Sequence, residues 1–198
     1  MNAFFENLSI NYPPLPRTPG AILRKSRKGR PYNIRPLRQS DGPLLAEFMS
    51  GLSSNTLLKR FFVAYPSLSD TAIDQEIQRI NNTLKLNGSV LVATHYAEGQ
   101  EEIIGIGEMI PDKELHLTAE LALTVRDDYQ GEGLGSALAH QLVNEASKKG
   151  LTTLQAESFV YNRPMLRIWT KLGLPYSFQT SHTITTMLAR LDHSLNFS

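Results

Sequence analysis

The chain has no cysteine. That absence removes disulfides, thiolate zinc sites and a cysteine nucleophile together. Charge of one sign is missing too: 20 basic side chains stand against 19 acidic ones, a formal charge of +1. No global field therefore draws in nucleic acid or a membrane surface. No apolar run reaches the ~18 residues that a spanning helix needs, so no transmembrane helix is expected. The N-terminus, Met-Asn-Ala-Phe-Phe-Glu-Asn, has neither a basic start nor a long apolar run. A signal peptide is not expected there, and a cytoplasmic location is the default reading. His95, His116, His140, His182 and His193 show no paired metal-ligand spacing, and no metal is expected. A Gly-x-Ser-x-Gly elbow and a Gly-Lys-Ser/Thr phosphate loop are likewise lacking. What remains is an ordinary globular composition, 41% hydrophobic and 20% charged over 198 residues, long enough for one domain with a sizeable core.

The most informative stretch runs from Glu120 to Gly150. Leu121 to Val125 is a short apolar run suited to a buried strand. Gly131, Gly133 and Gly135 follow at every second position, where the backbone must turn with no Cβ in the way. Leu134, Leu138, Leu142 and Ala146 then recur at four-residue spacing, the apolar stripe of a helix that Gly150 ends. A glycine-rich turn feeding a helix N-terminus is an anion site, because the first-turn N–H groups are unpaired and the helix dipole adds positive charge. The Rossmann fingerprint does not fit, since the third glycine comes one residue early. Gln130-Gly131-Glu132-Gly133-Leu134-Gly135 instead matches Gln/Arg-x-x-Gly-x-Gly/Ala. This segment resembles the acetyl-CoA loop of the GNAT superfamily of N-acetyltransferases.

The surrounding chain supplies further elements. Residues 1–20, rich in proline, read as an extended arm, and 192–198 as a tail, with a single domain over 21–191. Residues 21–38 read as a hairpin around Arg24-Lys25-Ser26-Arg27-Lys28-Gly29-Arg30, whose five basic residues suit either a solvated tip or a contact for an acidic partner. No aromatics interleave with these charges, which argues against nucleic acid. Helices are expected over Asp41–Leu52 and from Ser69 to about Leu84, with a break at Ser53-Ser54-Asn55 and a short apolar segment from Leu57 to Val63 between them. Strands are expected at Val90–Tyr96, Glu102–Ile110, Leu117–Val125, Thr152–Phe159, Tyr176–Gln179 and Thr183–Leu191, with a helix from Asn162 to about Leu172. Gly105 and Gly107 inside a strand imply that something approaches it closely, such as a ligand or a bent partner strand. The order predicts an α/β (α+β) fold: a mixed, mostly antiparallel twisted sheet with helices on both faces.

A second motif extends the resemblance. Asn162-Arg-Pro-Met165-Leu-Arg-Ile-Trp169-Thr-Lys171-Leu-Gly173-Leu174 is similar to the Asn-x-x-Ala-x-x-x-Tyr-x-Lys-x-Gly-Phe of GNAT enzymes. Ile34-Arg35-Pro36-Leu37-Arg38 and Leu57-Leu58-Lys59-Arg60-Phe61-Phe62 further resemble the bacterial protein lysine acetyltransferases that acetylate acyl-CoA synthetases. The resemblance implies acetyl-CoA as acyl donor. Backbone amides from Gln130 through Gly131, Glu132, Gly133, Leu134 and Gly135 to Ser136 would hold the pyrophosphate. Leu123, Thr124 and Val125 would splay from the next strand and pair with the pantetheine arm. Asn162 would hydrogen-bond the cofactor, with Met165 and Trp169 packing near it.

The acceptor amine must lose a proton before it can attack, since a lysine has a pKa of ~10.4. Glu120 stands where that branch carries its glutamate and is the expected base, with Glu108 in reserve. Trp169 occupies the place of a tyrosine that commonly reprotonates the CoA thiolate, and indole cannot act as that acid. Tyr161, Tyr176 or water could do so, or the thiolate could leave unaided. The absent cysteine favours direct transfer in a ternary complex. Three functions stay open at this point: acetylation of a protein lysine, acetylation of a small amine (a polyamine, amino acid or antibiotic), and non-catalytic acyl-CoA binding that acts through a partner. The reading admits a homodimer.

Overall fold

The computed structural model describes residues 20–191; the expected N-terminal arm, apart from Gly20, and the C-terminal tail lie outside the described residues. Strands β1 (Ile22–Lys25), β2 (Pro31–Pro36), β3 (Ser89–Ala97), β4 (Gln100–Pro111), β5 (Thr118–Val125), β6 (Thr153–Phe159), β7 (Tyr176–Ser181) and β8 (Ile184–Arg190) form one sheet. Its order is β1-β2-β3-β4-β5-β6-β8-β7. Every neighbouring pair is antiparallel except β5 and β6, which the crossover through a helix makes parallel. The helices are α1 (Gly42–Ser50), α2 (Ser54–Phe61), α3 (Asp70–Lys85), α4 (Leu134–Lys148) and α5 (Arg163–Thr170).

Alternation along the strands builds a core on each face. On one side Val90, Val92, Ile103 and Ile106 meet Leu45, Phe48 and Met49 of α1, Leu57 of α2, and Ile73 and Ile80 of α3. On the other, Leu91, Ala93, Ile104 and Leu121 meet Leu134, Leu138 and Leu142 of α4 and Trp169 of α5. A register shift between Ala93 and Thr94 pairs Ala93 with Gly105 and Thr94 with Ile103. Ile104 is the extra residue of this bulge, so Ile103 and Ile106, three positions apart, both reach the α1–α3 core although strict alternation would put them on opposite faces. The glycines of β4 are explained by α4: a Cβ on Gly107 would lie 3.0 Å from Leu142 Cδ1 and 3.3 Å from Leu138 Cβ. What approaches this strand closely is thus a helix, neither a ligand nor a bent partner strand.

One element differs from the sequence reading. Ser53-Ser54-Asn55 is a helix start, and the apolar segment after it is α2. Ser53 is the N-cap, its Oγ accepting from Thr56 N at 3.2 Å. Phe62 ends the helix with a left-handed φ of 58°. Two buried charge clusters fix the α1–α3 layer. The 1%-exposed Arg35 donates to both oxygens of Asp41 at 2.6 and 3.0 Å, tying β2 to the start of α1. Glu108, also 1% exposed, accepts from Arg60 at 2.5 Å and from Arg79 at 2.8 Å, tying β4 to α2 and α3. Among the described residues, no helix is long and apolar enough to cross a membrane.

Candidate acyl-donor cleft

The glycine-rich loop joins β5 to α4, and its glycines do different work. Gly131 (φ 76°) and Gly133 (φ 97°) turn the chain through backbone that side chains other than glycine disfavour. Gly135 is already helical. A Cβ there would stand 2.9 Å from Ile168 Cδ1, so its role is to let α5 approach α4. Gly133 is the N-cap of α4 and offers no side-chain cap, which leaves the first-turn N–H groups of a 15-residue helix available to an anion.

Two struts hold this loop. From α2, Ser53 Oγ and Thr56 Oγ1 donate to Asp127 Oδ1 at 2.6 and 2.8 Å, and Ser53 N donates to Oδ2 at 3.0 Å. Burial acts to raise the Asp127 pKa, but these hydrogen bonds from Ser53 and Thr56 hold it below the ordinary value. Gln130 Nε2 donates to Thr56 Oγ1 at 2.9 Å and to the Val125 carbonyl at 3.0 Å, locking the end of β5 to α2.

The second strut is the basic hairpin. Glu132 points away from the anion site and is 2% exposed under the β1–β2 turn. It accepts from Ser26 Oγ at 2.7 Å, pairs with Arg30, and meets Lys28 Nζ at 3.3 Å. Burial opposes its charge, yet the bonds from Arg30, Ser26 and Lys28 dominate and bring its pKa down to about 2. Arg27 N donates to the Glu132 carbonyl at 3.0 Å and Arg30 Nη2 to the Asp128 carbonyl at 2.6 Å. A carboxylate in the middle of the glycine-rich loop is therefore neutralised by the hairpin.

Beside the loop the sheet opens. β5 and β6 pair only at Thr118–Thr153, Ala119–Leu154 and Glu120–Gln155. Past that point β5 stays with β4 as far as Val125, and β6 stays with β8 as far as Phe159. The facing strand edges part and enclose a cleft of about 370 Å³. Glu120, Leu123, Thr124 and Val125 line it from β5; Gln130, Gly131, Gly133, Leu134, Gly135 and Ser136 from the loop; Asn162, Met165 and Ile168 from α5 and its start. Of the site residues expected from sequence, Glu132 and Trp169 do not line it. Trp169 is a correction: α5 turns Met165 and Ile168 to the cleft and puts the 1%-exposed indole into the core, its Nε1 toward the Leu188 carbonyl at 3.5 Å. Tyr161 and Tyr176 are exposed and stand outside the lining. Thr56, Arg60, Phe62, Glu157 and Ser158 line the cleft and were not anticipated; they come from distant segments and belong to neither the glycine-rich loop nor the Asn162 motif.

Glu120 sits at the last β5–β6 pair, where the strands part. It is half-buried, and that burial is the main cause pushing its pKa up; Arg60 pulls it down, Glu157 and Glu108 push it up, and Arg79 pulls it down. Glu108 is placed differently: both its oxygens accept from guanidinium groups, and it does not line the cleft.

The cleft suits a phosphate-terminated ligand with amide groups. Loop amides face its anionic end, and unpaired strand edges flank its length. The buried hydroxyls of Thr124 and Ser158, both in the lining, have no hydrogen-bond partner among the described residues.

Comparison with known proteins points the same way. Residues 55–174 match the family model described as "Acetyltransferase (GNAT) family". An acetyltransferase of Pseudomonas aeruginosa is 30% identical over 149 residues, covering 73% of this chain and 75% of that protein. The acetyltransferase Pat of Mycolicibacterium smegmatis is 29% identical over 148 residues; the match takes 74% of this chain but spans only 42% of that longer protein. In fold, the GNAT domain of S. lividans PAT superposes with a TM-score of 0.72 at 23% identity, over 86% of this chain and 97% of that one. Solved structures of the same fold hold CoA or acetyl-CoA. The chain belongs to the GNAT family of acetyltransferases, and acetyl-CoA is its co-substrate.

Proposed function

We propose that this enzyme transfers acetyl to a lysine ε-amine of a protein, such as an acyl-CoA synthetase, by direct attack in a ternary complex with Glu120 as general base. The observation that carries the reading is the position of Glu120. It lies where the parted strands open the cleft, half-buried, with a proton affinity raised mainly by burial. A carboxylate with a raised pKa accepts the ammonium proton more readily than an ordinary glutamate does.

Acetyl-CoA supplies an activated thioester. The chain's own residues bind and orient. Loop amides from Gln130 to Ser136 hold the pyrophosphate, the open edge at Leu123–Val125 pairs with the pantetheine arm, and Asn162 and Met165 flank it. The hydroxyls of Thr124 and Ser158 are suited to donate to the arm's carbonyls.

Two features favour a protein acceptor. The lining carries Arg27, Lys59, Arg60, Arg167 and Lys171 against Glu120 and Glu157, a balance unfavourable to a polycationic small amine. At the mouth, Phe62 meets Phe159 at 5.1 Å and Phe159 stacks on Tyr161 at 5.0 Å; Phe62 and Tyr161 are exposed. An exposed aromatic rim suits a polypeptide segment. A cytoplasmic location, where such synthetases are substrates, belongs to the same proposal.

The test is CoA release, read with a thiol reagent, on an acyl-CoA synthetase and on a panel of polyamines, amino acids and aminoglycosides. Because the enzyme has no cysteine, it adds no background. Turnover confined to the protein, at a lysine identified by mass spectrometry, supports the proposal. Turnover confined to a small amine overturns it, and tight acetyl-CoA binding without turnover on anything points to a binding module.

A further inference from the structure

A second cavity, of about 340 Å³, is lined by the β1–β2 hairpin and the first turns of α4. The two share Arg27, Gly133 and Ser136, so they meet at the loop that receives the pyrophosphate. Arg24, Lys25, Arg27 and His140 bring cationic or ionisable side chains to it. Arg24 and Lys25 form no ion pair among the described residues. Glu132, the acid in its lining, is already held by Arg30, Ser26 and Lys28. His140 Nδ1 bonds to the Ser136 carbonyl at 2.7 Å as a donor, which leaves Nε2 for a ligand. The cavity is thus a concentration of uncommitted positive charge, one loop away from the pyrophosphate site. Acyl-CoA carries one further strong anion, the 3′-phosphomonoester, and only the ribose separates it from the pyrophosphate.

We infer that the cavity between the basic hairpin and the first turns of α4 binds the 3′-phosphate of the CoA nucleotide, with Arg24, Lys25 and Arg27 as its cationic ligands and His140 in its lining. Arg27 has a double part. Its Nη1 donates to the Gly131 carbonyl at 3.2 Å, so it also fixes the loop from which the ribose departs. The hairpin would then act as a selector for CoA over its 3′-dephospho form. This subsite rests on the acetyl-CoA assignment, and the experiment separates the two.

The experiment is isothermal titration of the full chain with CoA and with 3′-dephospho-CoA. Charge-assisted contacts to one phosphate predict that dephospho-CoA binds ~10–100-fold more weakly to the wild type. In the Arg24→Gln/Lys25→Gln double variant the preference falls to a few-fold, while the Kd for dephospho-CoA stays at its wild-type value; that retained affinity also shows that the variant is folded. Arg27→Gln weakens both ligands, because it touches the loop as well. Equal affinity of the wild type for the two ligands overturns the subsite and leaves the acyl-CoA assignment standing. A double variant that weakens both ligands alike also overturns it. Binding of neither ligand to the wild type overturns the cofactor assignment and the subsite together.

Discussion

Arg30 donates through Nε and Nη2 to the two carboxylate oxygens of Glu132, joining the basic hairpin to the middle of the glycine-rich loop. The pairing has a positional consequence. Neutralised and buried, Glu132 would not repel a pyrophosphate bound as proposed, and its backbone is held to the hairpin through Arg27 N. Glu132→Gln loses the ionic part of this strut. Its KM for acetyl-CoA is expected to rise about tenfold, the equivalent of ~1.4 kcal/mol of positioning, with kcat near the wild-type value. Steady-state kinetics check the split.

The same pair makes stability depend on pH with a defined sign. Glu132 has a folded pKa of about 2, below the ~4.3 of an unfolded glutamate. Its contribution is complete above the unfolded value and is lost as pH falls from ~4.3 towards 2. The melting temperature of Glu132→Gln is therefore expected to lie below the wild type's at pH 7, and the two curves to converge at the acid end of that window. Thermal unfolding across pH measures it.

Gly135 and Ile168 form a steric pair between α4 and α5. Gly135→Ala places a Cβ 2.9 Å from Ile168 Cδ1, and overpacking of this kind costs ~1–3 kcal/mol. Ile168→Val removes that Cδ1. The double variant is expected to recover most of the loss, with a favourable coupling in a double-mutant cycle measured by urea denaturation. Additive losses would show that the contact is not the cause.

Glu108 and Glu120 separate by role. Glu108→Gln leaves Arg60 and Arg79 short of a counter-charge in the α2–α3 layer. The expected cost is ~2 kcal/mol, less than for a fully enclosed pair because the Arg79 side chain is 39% exposed. The folded variant keeps turnover within a few-fold of wild type. Chemical denaturation and kcat at low temperature decide between this and a base role for Glu108.

Much of the site was legible because it is local in sequence. The strand-loop-helix around Gly131, Gly133 and Gly135 follows from spacing alone, whereas Asn162 and Met165 came from the resemblance to the GNAT motif. Contacts between remote segments were not legible. The hairpin's basic residues suited a solvated tip better than a partner contact, and only the fold brings Ser26 and Arg30 to Glu132 across about a hundred residues. α2 was missed because Ser53 and Ser54 suit a break as well as a cap; the Ser53 bond to Thr56 N decides for the cap. Trp169 was placed beside the cofactor by analogy with a tyrosine, but a large apolar indole is better satisfied under β8 in the core.

The central claim is that Glu120 takes the acceptor's proton, and the most direct measurement is the pH dependence of kcat/KM for the best acceptor, wild type against Glu120→Gln, at saturating acetyl-CoA. The wild type is predicted to lose activity on the acid side along a limb whose midpoint lies above the ordinary glutamate value of ~4.3, because burial raises this carboxyl. Glu120→Gln is predicted to lose ~10²–10⁴-fold, to lose that limb, and to keep the wild-type affinity for acetyl-CoA. A variant that retains the rate and the acid limb would contradict the account and place the base elsewhere in the cleft.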